Sequence, residues 1–153
     1  HALHTATLML LTARALGWPA PQVAAGVRAA LTMNAAMVEL QATMAEQRDP
    51  PTQKQMALIR SHPVRGAALL RAAGVADTDW LAAVEQHHEQ PGGSGYPAGL
   101  AAPGPLPHLL RACDVFMAKI TPRAFRAALP PQTAARQLFQ QEQGSTLAGT
   151  LIK

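Results

Sequence analysis

Apolar residues along this chain recur at intervals of three and four, the spacing of helices that bury one face. Leu3, Leu8 and Leu11 set this pattern near the beginning of the chain, and no segment shows the alternation expected of a strand. The pattern predicts an all-α fold in a single domain. Its helical segments are Ala2–Leu16, Gln22–Leu31, Thr32–Glu46, Gln53–Ser61, Val64–Ala73, Asp79–His88, His108–Lys119 and Pro131–Gln143.

Proline, glycine and threonine mark the boundaries between these segments. Thr52 follows two prolines and is predicted to cap the next helix, as is Thr78 further along. His62-Pro63 predicts a joint between two short helices, because the residue before a proline avoids the α region. The stretch from Glu89 to Pro107 holds five glycines and five prolines and is predicted to be a loop. A loop of this length inside a compact domain is more often functional than not.

Composition supports a folded helical domain and limits the classes of partner. Apolar residues make up 48% of the 153 and charged residues only 14%, which argues against disorder. Alanine, the best helix former, supplies much of that apolar share and favours closely packed helices. The net charge of +4 suits an anionic partner, but the 13 Lys and Arg residues are scattered. A mildly basic surface is therefore favoured, and no nucleic acid partner is expected.

The compartment is predicted from the cysteine content and from apolar runs. Cys113 is the only cysteine, so neither an internal disulfide nor a CxxC metal site can form. No charged leader precedes an apolar stretch, and no apolar run reaches 18 residues. We expect a cytoplasmic protein with no membrane segment. Because the chain opens at His1 within a helical pattern, residues 1–153 are expected to be a fragment whose upstream domain is absent.

The candidate chemistry lies in His87-His88-Glu89 and in the Gly93–Pro97 string that follows it. Adjacent histidines at a helix end can both approach one metal ion, and imidazole binds zinc, iron and manganese. The glycines let the backbone turn tightly and approach a ligand closely. Tyr96 adds an aromatic face and a hydroxyl. Two adjacent histidines alone are more often surface residues, so the prediction of a site depends on the whole string.

This string resembles the signature of the HD-GYP family, the cyclic-di-GMP phosphodiesterase branch of the HD superfamily. His62-Pro63 with Gly66 resembles the family's HPxxG element, and His4 matches a histidine common on its first helix. Asp114-Val115-Phe116, with Arg123 and Arg126 after it, resembles a third element. The resemblance implies a helical bundle with a long GYP loop and two or three metal ions, often iron or manganese, that activate a hydroxide.

The resemblance also implies site residues. The metal ligands would be His62, His87, His88 and Asp114, together with a His-Asp pair on an earlier helix. The GYP loop would contact a nucleotide or a protein partner, and two arginines could pair with phosphate or instead cap a helix end. These loop and arginine positions are Gly93, Ser94, Gly95, Tyr96, Pro97, Arg123 and Arg126.

The chain departs from the family where the His-Asp pair should stand. Counting back without a gap places the pair on Met33 and Asn34, and the phosphate-binding lysine on Met37. A thioether replaces an imidazole, a neutral amide replaces the bridging carboxylate, and the lysine charge is missing. Two closely spaced cations would lose their charge compensation, so a two-metal phosphodiesterase is not expected.

We therefore expect a non-catalytic bacterial signalling domain that acts by protein–protein interaction in cyclic-di-GMP-related regulation. Its partner would be a GGDEF-type diguanylate cyclase or its own upstream domain. The alternatives are a cyclic di-GMP sensor and a residual phosphodiesterase with a mononuclear site. No cofactor is the leading expectation, with one iron, manganese or zinc ion on His62, His87 and His88 as the alternative. Without an ion, these histidines would be hydrogen-bonded inner polar residues.

Overall fold

Every regular element of the chain is a helix in the computed structural model, which describes residues 1–47, 49–122 and 127–141. No strand occurs among these residues, so the predicted all-α fold is confirmed. The elements in chain order are α1 (Ala2–Ala15), α2 (Ala20–Thr32), a 3₁₀ turn (Ala35–Met37), α3 (Val38–Glu46), α4 (Gln53–Ala72), α5 (Thr78–Gln86), α6 (Pro105–Ile120) and α7 (Pro131–Gln141).

The core is built around α2, which contacts α1, α5 and α6. Its buried face consists of small residues, including Ala25, Gly26 and Ala29, and a side chain at position 26 would collide with Met9 of α1. Such close approach also decides which face of α1 is buried. We predicted the leucine face, but Leu3 and Leu11 are exposed, and the buried residues are Thr5, Ala6, Met9 and Ala13.

Helix α4 corrects the predicted joint at His62-Pro63, because one continuous helix runs from Gln53 to Ala72 with Pro63 inside it. The predicted cap is present: Thr52 Oγ1 accepts from the Gln55 amide at 3.2 Å, and Gln55 Oε1 accepts from the Thr52 amide at 2.8 Å. An internal proline removes one helical hydrogen bond and crowds the preceding turn. Burial of Pro63 and its neighbours in the bundle keeps the helix continuous across it.

The predicted helix from Thr32 to Glu46 is also interrupted. Helix α2 ends at Thr32, the chain tightens into the 3₁₀ turn, and α3 begins at Val38. Met33 is fully buried, whereas Asn34 and Met37 are half-buried. The segment Ala20–Glu46 is long and apolar enough to cross a membrane by length and composition. The turn interrupts it, and α2 packs against three helices as the core helix of a bundle does.

Helices α5 and α6 carry the remaining elements of the site. Asp77, rather than Thr78, caps α5, because its carboxylate accepts from the Trp80 amide at 3.0 Å. Helix α6 begins at Pro105, three residues before its predicted beginning. Prolines fit the first turn of a helix, where the missing N–H has no intrahelical partner. The long loop between these helices therefore ends at Gly104.

Candidate functional site

Three histidines from two helices converge in the bundle. His62 lies on α4, while His87 and His88 lie at the end of α5. Their nearest ligand nitrogens all lie within 4.8 Å of one another, and the Nε2 atoms of His62 and His87 are 3.1 Å apart. His62 and His87 are buried, and His88 is half-buried. The structure thus brings together three of the four predicted metal ligands.

Backbone carbonyls fix the tautomers of two of these histidines. Nδ1 of His62 lies 2.6 Å from the Ile59 carbonyl oxygen, and Nδ1 of His87 lies 2.7 Å from that of Val84. A carbonyl can only accept, so each Nδ1 carries the proton and donates it. In a neutral imidazole the Nε2 atom then presents a lone pair. Two lone pairs therefore face each other without a proton between them, an arrangement suited to binding one cation.

The surroundings keep these histidines neutral. Burial and, to a smaller extent, the neighbouring His62 lower the pKa of His87 to about 4. Burial also lowers the pKa of His88 to about 2, with the charge of Arg111 among the smaller causes. The pKa of His62 is lowered by burial as well, with a smaller effect from Arg65. Neutral imidazole is the form that binds a metal, so the three side chains are ready to bind one at pH 7.

Asp114, the fourth predicted ligand, does not belong to the three-histidine group. Its Oδ1 lies on α6, 2.7 Å from Nε2 of His1. Its negative charge still acts on the site, because it opposes the lowering of the pKa at His62, His87 and His88. Sequence analysis did not find the His1 contact, since nothing in the local sequence links two residues 113 positions apart.

The positions that replace the family's His-Asp pair and lysine add no ligand to the group. Met33 is part of the apolar core, and Asn34 is neutral. Met37 lines a groove of about 640 Å³ between the 3₁₀ turn and α4, together with Arg65 and Leu69. Within the described ranges, no further histidine, cysteine or carboxylate joins the three histidines. None of these three replaced positions therefore offers an anionic ligand.

The loop after the histidines is held by Glu89, whose role sequence analysis missed. The Glu89 carboxylate is fully buried and accepts from the amides of Ala98 at 2.6 Å and Leu100 at 2.9 Å. Gly95 lies so close to the backbone of residues 88–90 that a Cβ there would be 2.6 Å from the His88 carbonyl oxygen. Glycine is therefore required at this position, and the loop folds back onto its own beginning.

Tyr96 is the loop residue that touches the histidines. Its ring stacks on His88 with centroids 4.6 Å apart, and the Arg60 guanidinium lies 6.0 Å from the Tyr96 ring centroid. Burial raises the pKa of Tyr96 to about 12, so its hydroxyl keeps its proton. Sequence analysis did not single out Arg60, because α4 gives no local sign of facing the loop.

The other predicted contact residues fall into two groups. Ser94 and Pro97 are exposed on the loop, and Gly93 is half-buried with a φ of 80°, in the region that favours glycine. Arg123 and Arg126 lie outside the described residues. The exposed residues Ser94 and Pro97 thus lie next to Gly95 and Tyr96, which pack against His88.

Residues 2–150 match the family described as an HD domain. The chain belongs to the HD domain family. A cyclic di-GMP phosphodiesterase, PA4108 of Pseudomonas aeruginosa, is 26% identical over 142 residues, which cover 92% of this chain and 34% of that protein. This chain therefore spans about a third of that relative's length. The resemblance to the HD-GYP family is confirmed by these matches together with the fold.

The fold of this HD-GYP-type domain is also found in Bd1817, an HDGYP protein from Bdellovibrio bacteriovorus. The two structures superpose with a TM-score of 0.74 at 24% sequence identity. The match covers 95% of this chain and 47% of the Bd1817 chain. At that identity the comparison shows a shared fold.

Proposed function

We propose that this HD-GYP-type domain is a non-catalytic signalling domain that binds one transition-metal ion and acts through a protein partner. The observation that carries the proposal is the 3.1 Å approach of the His62 and His87 Nε2 atoms, with both Nδ1 atoms committed to carbonyls. This arrangement favours the alternative of one bound ion over a site without metal. The neutral amide of Asn34, which stands where the family has a bridging carboxylate, argues against a second ion.

Three neutral imidazoles fit a single ion well. Imidazoles bound to zinc at the usual distance lie about 3.4 Å apart in a tetrahedral site, close to the observed approach. Iron and manganese accept the same ligands. A bound ion would act as a Lewis acid with a position open to water. His62, His87 and His88 would hold it, and Tyr96 would support His88 from the loop.

The residues present do not fit two ions. Two closely spaced dications need anionic ligands between them, and Asn34 supplies a neutral amide where the family has a carboxylate. Met33 is buried in the apolar core, and the Asp114 carboxylate is engaged by His1. The two-metal stabilisation of both the attacking and the leaving oxygen is therefore not available to this chain.

Metal titration tests the single ion. Protein stripped with a chelator and titrated with Zn²⁺ or Co²⁺ should bind one equivalent, and His87→Ala should abolish this binding. His4→Ala is the matched control, because His4 is exposed on α1 and lies outside the histidine group. Less than a tenth of an equivalent in the wild type would overturn this part of the proposal.

An activity assay tests the absence of catalysis. The protein loaded with Mn²⁺ or Fe²⁺ should release no linear dinucleotide from cyclic di-GMP, the substrate named for the Pseudomonas relative. Product formation at a rate that His87→Ala abolishes would instead establish the residual mononuclear phosphodiesterase. His4→Ala is the control variant, and any activity of the wild type should be unchanged in it.

The exposed half of the GYP loop is the proposed contact for the partner, a GGDEF-type diguanylate cyclase or an upstream domain of the same protein. Ser94 and Pro97 are exposed there, whereas the ring of Tyr96 stacks on His88. Binding to a purified diguanylate cyclase, measured by calorimetry, should weaken with Ser94→Arg. The same charge placed at Gln132, exposed on α7, should have no effect. Equal binding by both variants would exclude the loop as the contact.

A cyclic di-GMP sensor is the second candidate, supported by the positive charges around the site. Arg65 and Arg111 act on His62 and His88, and Arg60 lies beside Tyr96. Phosphate groups bind well to arginine. Calorimetry with cyclic di-GMP distinguishes the candidates, because no heat at high micromolar ligand would exclude the sensor and leave the protein-docking proposal standing.

A further inference from the structure

We propose that Pro63 is a positioning residue for the metal site. By withholding a backbone N–H from the Ile59 carbonyl, it leaves that carbonyl to accept from His62 and so directs Nε2 of His62 toward His87. The inference rests on the proposed function, because it assigns a role to Pro63 in preparing a metal ligand. The tautomer of His62 can be measured directly in the metal-free protein, before any metal is added.

Pro63 interrupts the hydrogen-bond pattern of helix α4. In a regular α-helix, each amide donates to the carbonyl four residues earlier. Residue 63 would donate to Ile59, but proline has no N–H to donate. Pro63 lies inside α4, ten residues after its beginning at Gln53, so the missing bond is an interior one. The Ile59 carbonyl therefore lacks its usual donor.

The freed carbonyl is the one that His62 uses. Nδ1 of His62 lies 2.6 Å from the Ile59 carbonyl oxygen, a short hydrogen bond three residues back along the helix. This bond places the proton on Nδ1 and turns Nε2 toward Nε2 of His87, 3.1 Å away. An alanine at position 63 would restore the amide donor, which would then share the Ile59 carbonyl with His62 and weaken the bond to Nδ1.

His87 achieves the same orientation by a different route. Its Nδ1 lies 2.7 Å from the Val84 carbonyl oxygen, also three residues back. Val84 belongs to the last turn of α5, which ends at Gln86, and carbonyls of a last turn lack an intrahelical donor. A helix end frees the carbonyl for His87. In the middle of α4, the missing amide proton of Pro63 leaves the Ile59 carbonyl without its helical donor, and His62 donates to it instead.

Nitrogen NMR of the imidazole rings tests the role of Pro63 without any metal. In wild-type protein from which metal has been removed with a chelator, near pH 7.5, His62 should be the Nδ1–H tautomer, with Nε2 unprotonated. In Pro63→Ala, the His62 signals should shift toward the Nε2–H tautomer while those of His87 stay unchanged. Wild-type His62 found as the Nε2–H tautomer would overturn the inference, whether or not the variant folds.

Metal affinity provides the second measurement. Loss of a group that orients a metal ligand typically weakens binding by about 10-fold to 100-fold, so Pro63→Ala should raise the Kd for Co²⁺ at least about tenfold. Pro107→Ala is the matched control: Pro107 is also buried, but it lies in the first turn of α6. It should leave the Kd within about twofold.

The outcomes separate this inference from the proposed function. A wild type that binds no metal, yet shows the expected tautomer and its change in Pro63→Ala, would defeat the proposed function alone. A wild type that binds metal while Pro63→Ala keeps both the tautomer and the affinity would defeat the role of Pro63 alone. Circular dichroism of Pro63→Ala and Pro107→Ala would show whether each variant keeps its helices.

Discussion

The ring of Tyr96 stacks on the ring of His88 with only 26° between their planes. The GYP loop and the three-histidine group are therefore in direct contact through these two side chains. Anything that moves Tyr96, such as a partner docking on the loop, would change the support of one proposed metal ligand. This contact makes Tyr96 the first position to test.

Replacing Tyr96 by alanine should weaken metal binding, whereas phenylalanine should preserve it. Aromatic pairs of this kind contribute about 0.5–1.5 kcal/mol, which corresponds to a loss of affinity of up to about tenfold. The hydroxyl is not needed for stacking, so Tyr96→Phe should remain within about twofold of the wild type. Titration with Co²⁺ measures both variants. Equal losses in both would assign the effect to the hydroxyl.

Replacing Glu89 by glutamine should loosen the loop and destabilise the domain. The buried glutamine side chain would keep one acceptor oxygen, so one of the two loop amides, at Ala98 or Leu100, would lose its partner and face the new NH₂ group. A buried unsatisfied group costs about 1–3 kcal/mol, measurable by urea denaturation. Hydrogen exchange should accelerate at residues 98 and 100.

The matched control for this loop variant is Glu85→Gln. Glu85 forms an ion pair with Arg71 at 2.8 Å, but both side chains are at least a third exposed. Surface pairs contribute about 0–1 kcal/mol. If the two glutamine variants destabilised the protein equally, the buried carboxylate of Glu89 would have no special role.

Stability of the metal-free protein should decrease as the pH falls below about 6.5. The pKa values of His87 and His88 in the folded protein, about 4 and about 2, lie below the ordinary value of an unfolded histidine. The unfolded chain therefore binds more protons in this range, and the free energy of unfolding rises with pH. The contribution is complete above pH 6.5 and is lost progressively as the pH falls toward 4.

Urea denaturation of the metal-free protein, between pH 7.5 and 5, checks this pH dependence of stability. Each histidine should contribute a slope of up to about 1 kcal/mol per pH unit. His87→Gln should flatten the profile, while His4→Gln on the exposed side of α1 should leave it unchanged. A wild-type profile that is flat across this range would contradict the prediction.

Cys113 should be unreactive in the native protein. The residue is fully buried on α6, and burial raises the pKa of its thiol to about 12. The thiolate is the reactive form, so Ellman's reagent at pH 8 should detect no free thiol until denaturant is added. Rapid labelling of folded protein would show that α6 opens more readily than its packing suggests.

Local signals in the sequence predicted much of the fold. The Thr52 cap and the long loop after α5 each depend on residues a few positions apart, although α6 begins at Pro105, inside the predicted loop. The buried face of α1 was predicted wrongly, because the space available beside it depends on how closely α2 approaches. Pro63 was predicted to end a helix, since packing around position 63 is not visible in the local sequence.

In the site, too, residues within local motifs could be predicted, whereas contacts between distant parts of the chain could not. The sequence pattern and the family resemblance indicated His62, His87 and His88, which the fold brings together. The ion pair of Asp114 with His1 joins residues that are 113 positions apart in the sequence, and no local motif indicates it. Glu89 was visible within the motif, but its buried hydrogen bonds to the loop depend on the folded backbone.

The hydrogen bonds described for the loop join residues within the short stretch from Gln86 to Ala101. None of those bonds reaches the turn at Met33, so substitutions there leave the loop's own scaffold untouched. The backbone of the loop therefore closes on itself, and its shape is encoded locally, in residues 86–101.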